Sequence, residues 1–217
     1  MRGALTAVRT LADVVVAPRA AWRCLASRPQ VVWMAVWVSA LQMVVTAVQA
    51  HFVWAVVATQ SHEWLDDARR GLAATRVLTI AAVPIAAVAR ALAWSALLGL
   101  AAPAPRPTRV ALALALESVP LLESAATAVL IAAAQPADVD ALRAVRLRAG
   151  LDVAWRPQAA WADALVGAAS AFSIWWAALL GCGAVRVLRA RWQAAWLVAV
   201  TAWLARVAWR AAWMASP

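Results

Sequence analysis

The sequence predicts an all-α, polytopic integral membrane protein, with five transmembrane helices preceded by an N-terminal amphipathic helix at the interface. Three observations predict it. The chain is 66% hydrophobic, with a mean hydropathy of +0.76, whereas soluble domains are about half apolar. A core built from 217 residues does not need that much apolar material, so lipid is the natural solvent for the excess. There are 15 tryptophans against 2 phenylalanines and no tyrosine, and the amphipathic indole favours the membrane–water boundary. Finally, the apolar runs are long enough to cross ~30 Å of hydrocarbon at ~1.5 Å per residue. They lack the strand alternation of a membrane barrel.

The chain reads as one domain, 1–217. Residues 1–29 form an amphipathic arm. Leu5, Val8, Ala12 and Val15 share a face at helical spacing, and Pro18 opens a second short helix, where its missing N–H costs nothing. Trp22 and Leu25 continue an apolar face, while Arg9, Arg19, Arg23 and Arg28 are placed to meet anionic headgroups. Arg9, Asp13, Arg19 and Arg23 also interrupt any signal-like apolar run, so the mature chain is expected to start at or near Met1.

The spans fall at about 31–58, 77–100, 110–134, 164–185 and 192–214. Trp33 and Trp37 mark one end of the first span and Trp54 the other, with Trp33 and Trp54 ~31 Å apart along a helix. Trp192 and Trp196, then Trp209 and Trp213, mark the two ends of the fifth. Trp175, Trp176 and Trp203 lie mid-span and read as packing residues. Residues 135–163 form the one long loop. Within it Asp138 can cap a short surface helix that Gly150 ends, with Val139, Leu142 and Val145 on its apolar side.

Net charge is +10 and every basic residue is arginine. The arginines flank apolar runs instead of clustering on a soluble face, which argues for lipid and against nucleic acid. Five precede the first span (Arg2, Arg9, Arg19, Arg23, Arg28) and three follow it (Arg69, Arg70, Arg76). The positive-inside rule then puts the N-terminus in the cytoplasm and the C-terminus outside the cell membrane. The absence of lysine and asparagine suggests a GC-rich, bacterial source. Cys24 and Cys182 are too distant for a metal knuckle and read as free thiols.

With Arg210 counted on the outer flank, four charged residues remain inside the spans, Arg90, Glu117, Glu123 and Arg206, and their formal charges cancel. Measured from the inner end of each span, their depths are ~18, ~12, ~21 and ~21 Å. A short proline-rich turn, Pro103 to Pro107, makes the second and third spans antiparallel neighbours. Charges in hydrocarbon face the bundle interior and pair, so Arg90 is expected to meet Glu117 or Glu123, with Arg206 joining. A protonated, neutral glutamate is the alternative state. Ser39, Gln42, Thr46 and Gln49 form a polar stripe on the first span and complete a candidate network through Gln42 and Gln49. Pro120 leaves the carbonyl of Leu116 without its donor, so a kink is expected there, with Ser118 or Ser124 able to satisfy freed groups. Gly181 and Gly183 allow another helix to come close.

No catalytic, cofactor-binding or metal-ligating set emerges, and the protein is expected to be neither an enzyme nor a cofactor carrier. His62-Glu63-Trp64-Leu65-Asp66 nearly spells a zinc-protease motif, but Asp66 replaces the second histidine, and Asp67, Arg69 and Arg70 make it a solvated loop. Three other stretches carry a resemblance. Val15 to Pro29 (VVAPRAAWRCLASRP), Glu117 to Leu122 (ESVPLL) and Ser173 to Leu188 (SIWWAALLGCGAVRVL) occur in the order found in the Yip domain family, and the chain resembles its bacterial members. Ala17, where a capping serine is common, and the Glu117/Glu123 pair depart from that pattern. The resemblance implies a multi-pass protein that organises membranes or acts as a scaffold, binding lipids, other membrane proteins or its own copies. The alternative is a small transporter or channel using Glu117, Glu123 and the polar stripe.

Overall fold

The computed structural model describes residues 2–60, 67–134 and 159–215, and among them every regular element is a helix. In chain order these are α1 (Arg2–Val16), α2 (Pro18–Ser27), α3 (Val31–Gln60), α4 (Asp67–Ala101), α5 (Arg106–Leu116), α6 (Ser118–Ala134), α7 (Ala160–Ala168), α8 (Ala171–Val187) and α9 (Trp192–Ala215). The expected surface helix near 138–150 and the near-motif at 62–66 lie outside the described residues. Among the described residues three helical stretches are long and apolar enough to cross a membrane: Val31–Val56, Val77–Ala101 and Arg106–Ala134. The last is α5 and α6 end to end. Between α8 and α9 the chain reverses over four residues. There Arg189 takes the left-handed region (φ 54) and the Ala190 N–H reaches the Ala184 carbonyl at 3.1 Å, closing the helix end as glycine usually does.

α5 is the centre of the bundle. Ala111 to Leu116 are buried without interruption, followed by Glu117, Ser118 and Val119. A helix apolar on every side can only be an interior one. α3 and α4 are peripheral, and both leave apolar faces uncovered: Val32, Val36, Val44 and Val48 on α3, Val77, Leu78, Ile85 and Leu92 on α4. Faces of that extent are a liability in water and an asset in lipid.

Two of the segments expected as spans are interrupted, the third near the kink expected at Pro120 and the other without a sequence warning. The third breaks for one residue at Glu117, where the Glu117 N–H turns back to the Leu114 carbonyl at 3.1 Å. The Ser118 hydroxyl donates to the Ala115 carbonyl at 2.7 Å. Helix α6 restarts at Ser118, so Pro120 sits in its first turn, where no intrahelical donor is missed. The break therefore comes three residues before the proline and relieves it. The segment expected from the sequence as a fourth span is two pieces, α7 and α8, parted at Ala169–Ser170. The cause is local: Ser170 is an N-cap whose hydroxyl accepts the Ser173 N–H at 3.2 Å. Pro84 lies inside α4 and was not singled out by the sequence pattern.

The arm is docked on the bundle. α1 buries Ala7, Thr10, Leu11 and Val14, while Leu5 is 70% exposed and Val8 and Ala12 are also outward. The stripe read from the sequence is thus the second apolar face of a helix that has two. Thr10 clasps α1 to α2, its hydroxyl donating to the Thr6 carbonyl at 2.8 Å and lying 3.3 Å from the Cys24 sulfur. Trp22 and Leu25 of α2 are buried, and Arg9, Arg19, Arg23 and Arg28 are exposed.

α8 is approached closely on two sides, and a glycine stands at each contact. A Cβ on Gly181 would lie 3.1 Å from the Trp196 ring, and one on Gly183 would lie 2.7 Å from Leu112 Cδ1 and 3.4 Å from the Trp22 ring. These two positions let α9 press on one side, and α5 and α2 on the other.

Candidate functional site: a charged cleft between helices

Four helices turn polar faces toward one cleft of about 630 Å³. From α3 come Gln42, Thr46 and Gln49, from α4 Val83, Ala86, Arg90 and Trp94. The turn and α6 supply Glu117, Pro120, Glu123, Ser124 and Thr127, and α9 supplies Arg206, Trp209 and Arg210. On each helix these positions recur every three or four residues, so each presents a single stripe.

At one end of the cleft Arg90, Glu117 and Gln42 close a triangle. Glu117 is 1% exposed. Its Oε2 accepts from Arg90 Nη2 at 3.1 Å, Arg90 Nε at 3.3 Å and Gln42 Nε2 at 3.1 Å. Arg90 Nη2 also donates to Gln42 Oε1 at 3.1 Å. Every bond goes to one oxygen: Glu117 Oε1 is buried and has no partner. The one-residue break at Glu117 keeps this carboxylate at the junction of two helices, with the packed Ala111–Leu116 segment beneath it.

The second cluster is six residues further along α6. Glu123 accepts two bonds from Arg210 Nη1, at 2.8 Å to Oε1 and 2.9 Å to Oε2. Ser170 Oγ adds a bond to Oε1 at 3.0 Å. Arg206 Nη2 stands 3.9 Å from Glu123 Oε2, a charge contact beyond hydrogen-bond length. The Arg206 guanidinium instead lies over the Trp176 ring, 5.1 Å from its centroid, and its Nε is buried without a partner. It lies in the field of both carboxylates and of Arg90 and Arg210. Trp176 is fully buried and meets Trp94 edge-on at 5.1 Å. Behind it, Trp203 Nε1 donates to Ser173 Oγ at 3.1 Å, and Ser173 Oγ donates to the Ser170 carbonyl at 2.7 Å.

The structure therefore brings Arg90, Glu117 and Gln42 together, and Glu123 with Arg206, in two separate clusters. Gln49 stands apart from the charges and donates to the Ser124 carbonyl at 2.7 Å, joining α3 to α6. Sequence reasoning missed Arg210, Ser170 and Trp94. Arg210, which the sequence places on the outer flank, is the nearest cation to Glu123. The four charges that cancel on paper become five that do not: three arginines face two glutamates. The signal for Arg210 was its place one turn beyond Arg206, on the same face. The signal for Ser170 was its spacing to Ser173 after a run of small residues.

Among the described residues no group of histidine, cysteine, aspartate and glutamate could hold a metal ion. Cys24 and Cys182 are free thiols. No family model, no curated protein and no solved structure matches this chain.

Proposed function

We propose that the protein is a non-enzymatic, multi-pass membrane protein that binds a small polar solute in the cleft between α3, α4, α6 and α9 and passes it across the bilayer. One observation carries the reading: a fully buried carboxylate, Glu117, lines a cleft shared with three arginines and leaves one oxygen unpartnered. Charges inside spanning helices are rare and mark solute or ion pathways, and small transporters bind at the junctions of interrupted helices. α5–α6 and α7–α8 are such interrupted helices, and both breaks border this site.

In this reading α3, α4 and α5–α6 make three crossings. α8, with 17 residues, is ~26 Å long and α9, with 24, is ~36 Å long. They supply the fourth and fifth, with α7 extending α8. The N-terminus lies in the cytoplasm, and Arg9, Arg19, Arg23 and Arg28 meet anionic headgroups there. A Yip-like role in organising the membrane is the second reading, favoured by the docked arm with its outward Leu5, Val8 and Val16.

Flux through proteoliposomes separates the two. Labelled amino acids and small organic acids, offered singly, should include at least one that enters faster than into protein-free vesicles. Glu117→Gln should return that rate to the protein-free level. Folded, reconstituted protein that moves none of them overturns transport and leaves the scaffold reading standing.

A further inference from the structure

We infer that the solute is zwitterionic: a small molecule carrying one anionic group, held by Arg206 and Trp94, and one ammonium donor, held by Glu117. This rests on the solute-binding reading above and adds the chemistry of the occupant.

Three lining residues hold a buried polar atom with no partner: Glu117 Oε1, Arg206 Nε and Trp94 Nε1. The first only accepts when ionised, and the other two only donate. Leaving such atoms unpaired away from water is costly, so the occupant that satisfies all three is favoured. A simple anion would satisfy Arg206 and Trp94 and leave Glu117 bare. A simple amine would do the reverse. Arg90, Arg206 and Arg210 against Glu117 and Glu123 give the cleft one excess positive charge, which draws an anionic end; a zwitterion leaves that net charge unchanged, so the unpaired acceptor on Glu117, and not the charge count, selects the donor end. Arg210 and Arg90 are already committed to Glu123 and Glu117 by hydrogen bonds. Arg206 is not; it is steadied by the Trp176 ring and free at Nε. The volume, about 630 Å³, falls in the usual range of small-molecule sites, ~300–1,000 Å³.

The same chemistry is found in a free amino acid and in the ethanolamine headgroup of a phospholipid. Thermal unfolding and calorimetric titration in nanodiscs distinguish them. Phosphatidylcholine discs offer no headgroup N–H, so they are the reference. The probes are glycine, β-alanine and γ-aminobutyrate, which vary the distance between the ends, each paired with its anion lacking the amine (acetate, propionate, butyrate). At least one amino acid should bind more tightly than its matched anion. Glu117→Gln should shrink that preference about tenfold, the size of one lost bond to a charged group. Trp94→Phe keeps an aromatic face but removes the N–H together with the pyrrole part of the indole, and should weaken the amino acid and the anion alike. A headgroup occupant would instead raise the unfolding midpoint in phosphatidylethanolamine discs and abolish binding of the soluble probes there. Equal binding of amino acid and matched anion overturns the inference and leaves solute binding intact. No binding of any probe, with no effect of phosphatidylethanolamine, overturns both.

Discussion

Arg90→Ala is expected to destabilise the protein by ~3–5 kcal/mol, the usual result of stripping the partner from a buried charge. The side chain of Arg90 is 49% exposed and that of Glu117 only 1%, so the loss falls on the carboxylate. It would retain Gln42 as its one donor. The double variant Arg90→Ala/Glu117→Gln should recover most of the loss, because an amide at 117 carries no charge and still bonds to Gln42. The charge-swapped pair, Arg90→Glu with Glu117→Arg, should recover part of it. Unfolding in detergent micelles, read as a double-mutant cycle, gives the coupling between the two positions. A single variant within ~0.5 kcal/mol of the wild type, the range of indifferent surface changes, would refute the ion pair as a stabilising contact.

Trp176→Ala should be comparably damaging for a different reason. The indole is fully buried between α4 and α9, edge-on to Trp94 and beneath the Arg206 guanidinium. Truncating a buried tryptophan to alanine costs ~3–5 kcal/mol through the cavity it opens. The same cavity frees Arg206, so any solute held by that guanidinium should bind more weakly as well. Trp176→Phe is the informative control. The Trp176 Nε1 has no acceptor, so losing it sacrifices no hydrogen bond, and the phenyl ring retains most of the packing. Unfolding midpoints should rank wild type and Trp176→Phe close together, with Trp176→Ala well below. A Phe variant as unstable as the Ala variant would contradict the assignment of the effect to ring volume.

Much of this arrangement is legible in the sequence, and the reasons are physical. Lipid imposes length and hydrophobicity on a span, so α3, α4 and α5–α6 announce themselves. Helical rise converts residue number into depth, which is enough to set Arg90 near the glutamates. The periodicity of the α3 stripe is enough to bring Gln42 to them. Depth alone could not decide which glutamate Arg90 takes, because that depends on rotation of α6 about its own axis. Arg210 escaped because arginine is long and a helical Cα–Cβ bond tilts toward the N-terminus. A residue near the end of α9 can thus reach back a turn into the bundle. The break at Ser170 escaped because an unbroken apolar run gives no hint of where a helix stops; only the serine cap does. Pro120 was a sound signal of irregularity, displaced by three residues because the chain resolves a proline most cheaply by starting a helix just before it.

The enclosure of α5 has an evolutionary corollary. On α3 a tolerant position should return with every turn, since one side of that rod touches no other part of the molecule. On Ala111 to Leu116 no such rhythm is available: each residue abuts another part of the same molecule. Among related chains, drift should therefore trace a wave along the outer rods and a flat, nearly silent line through this inner one.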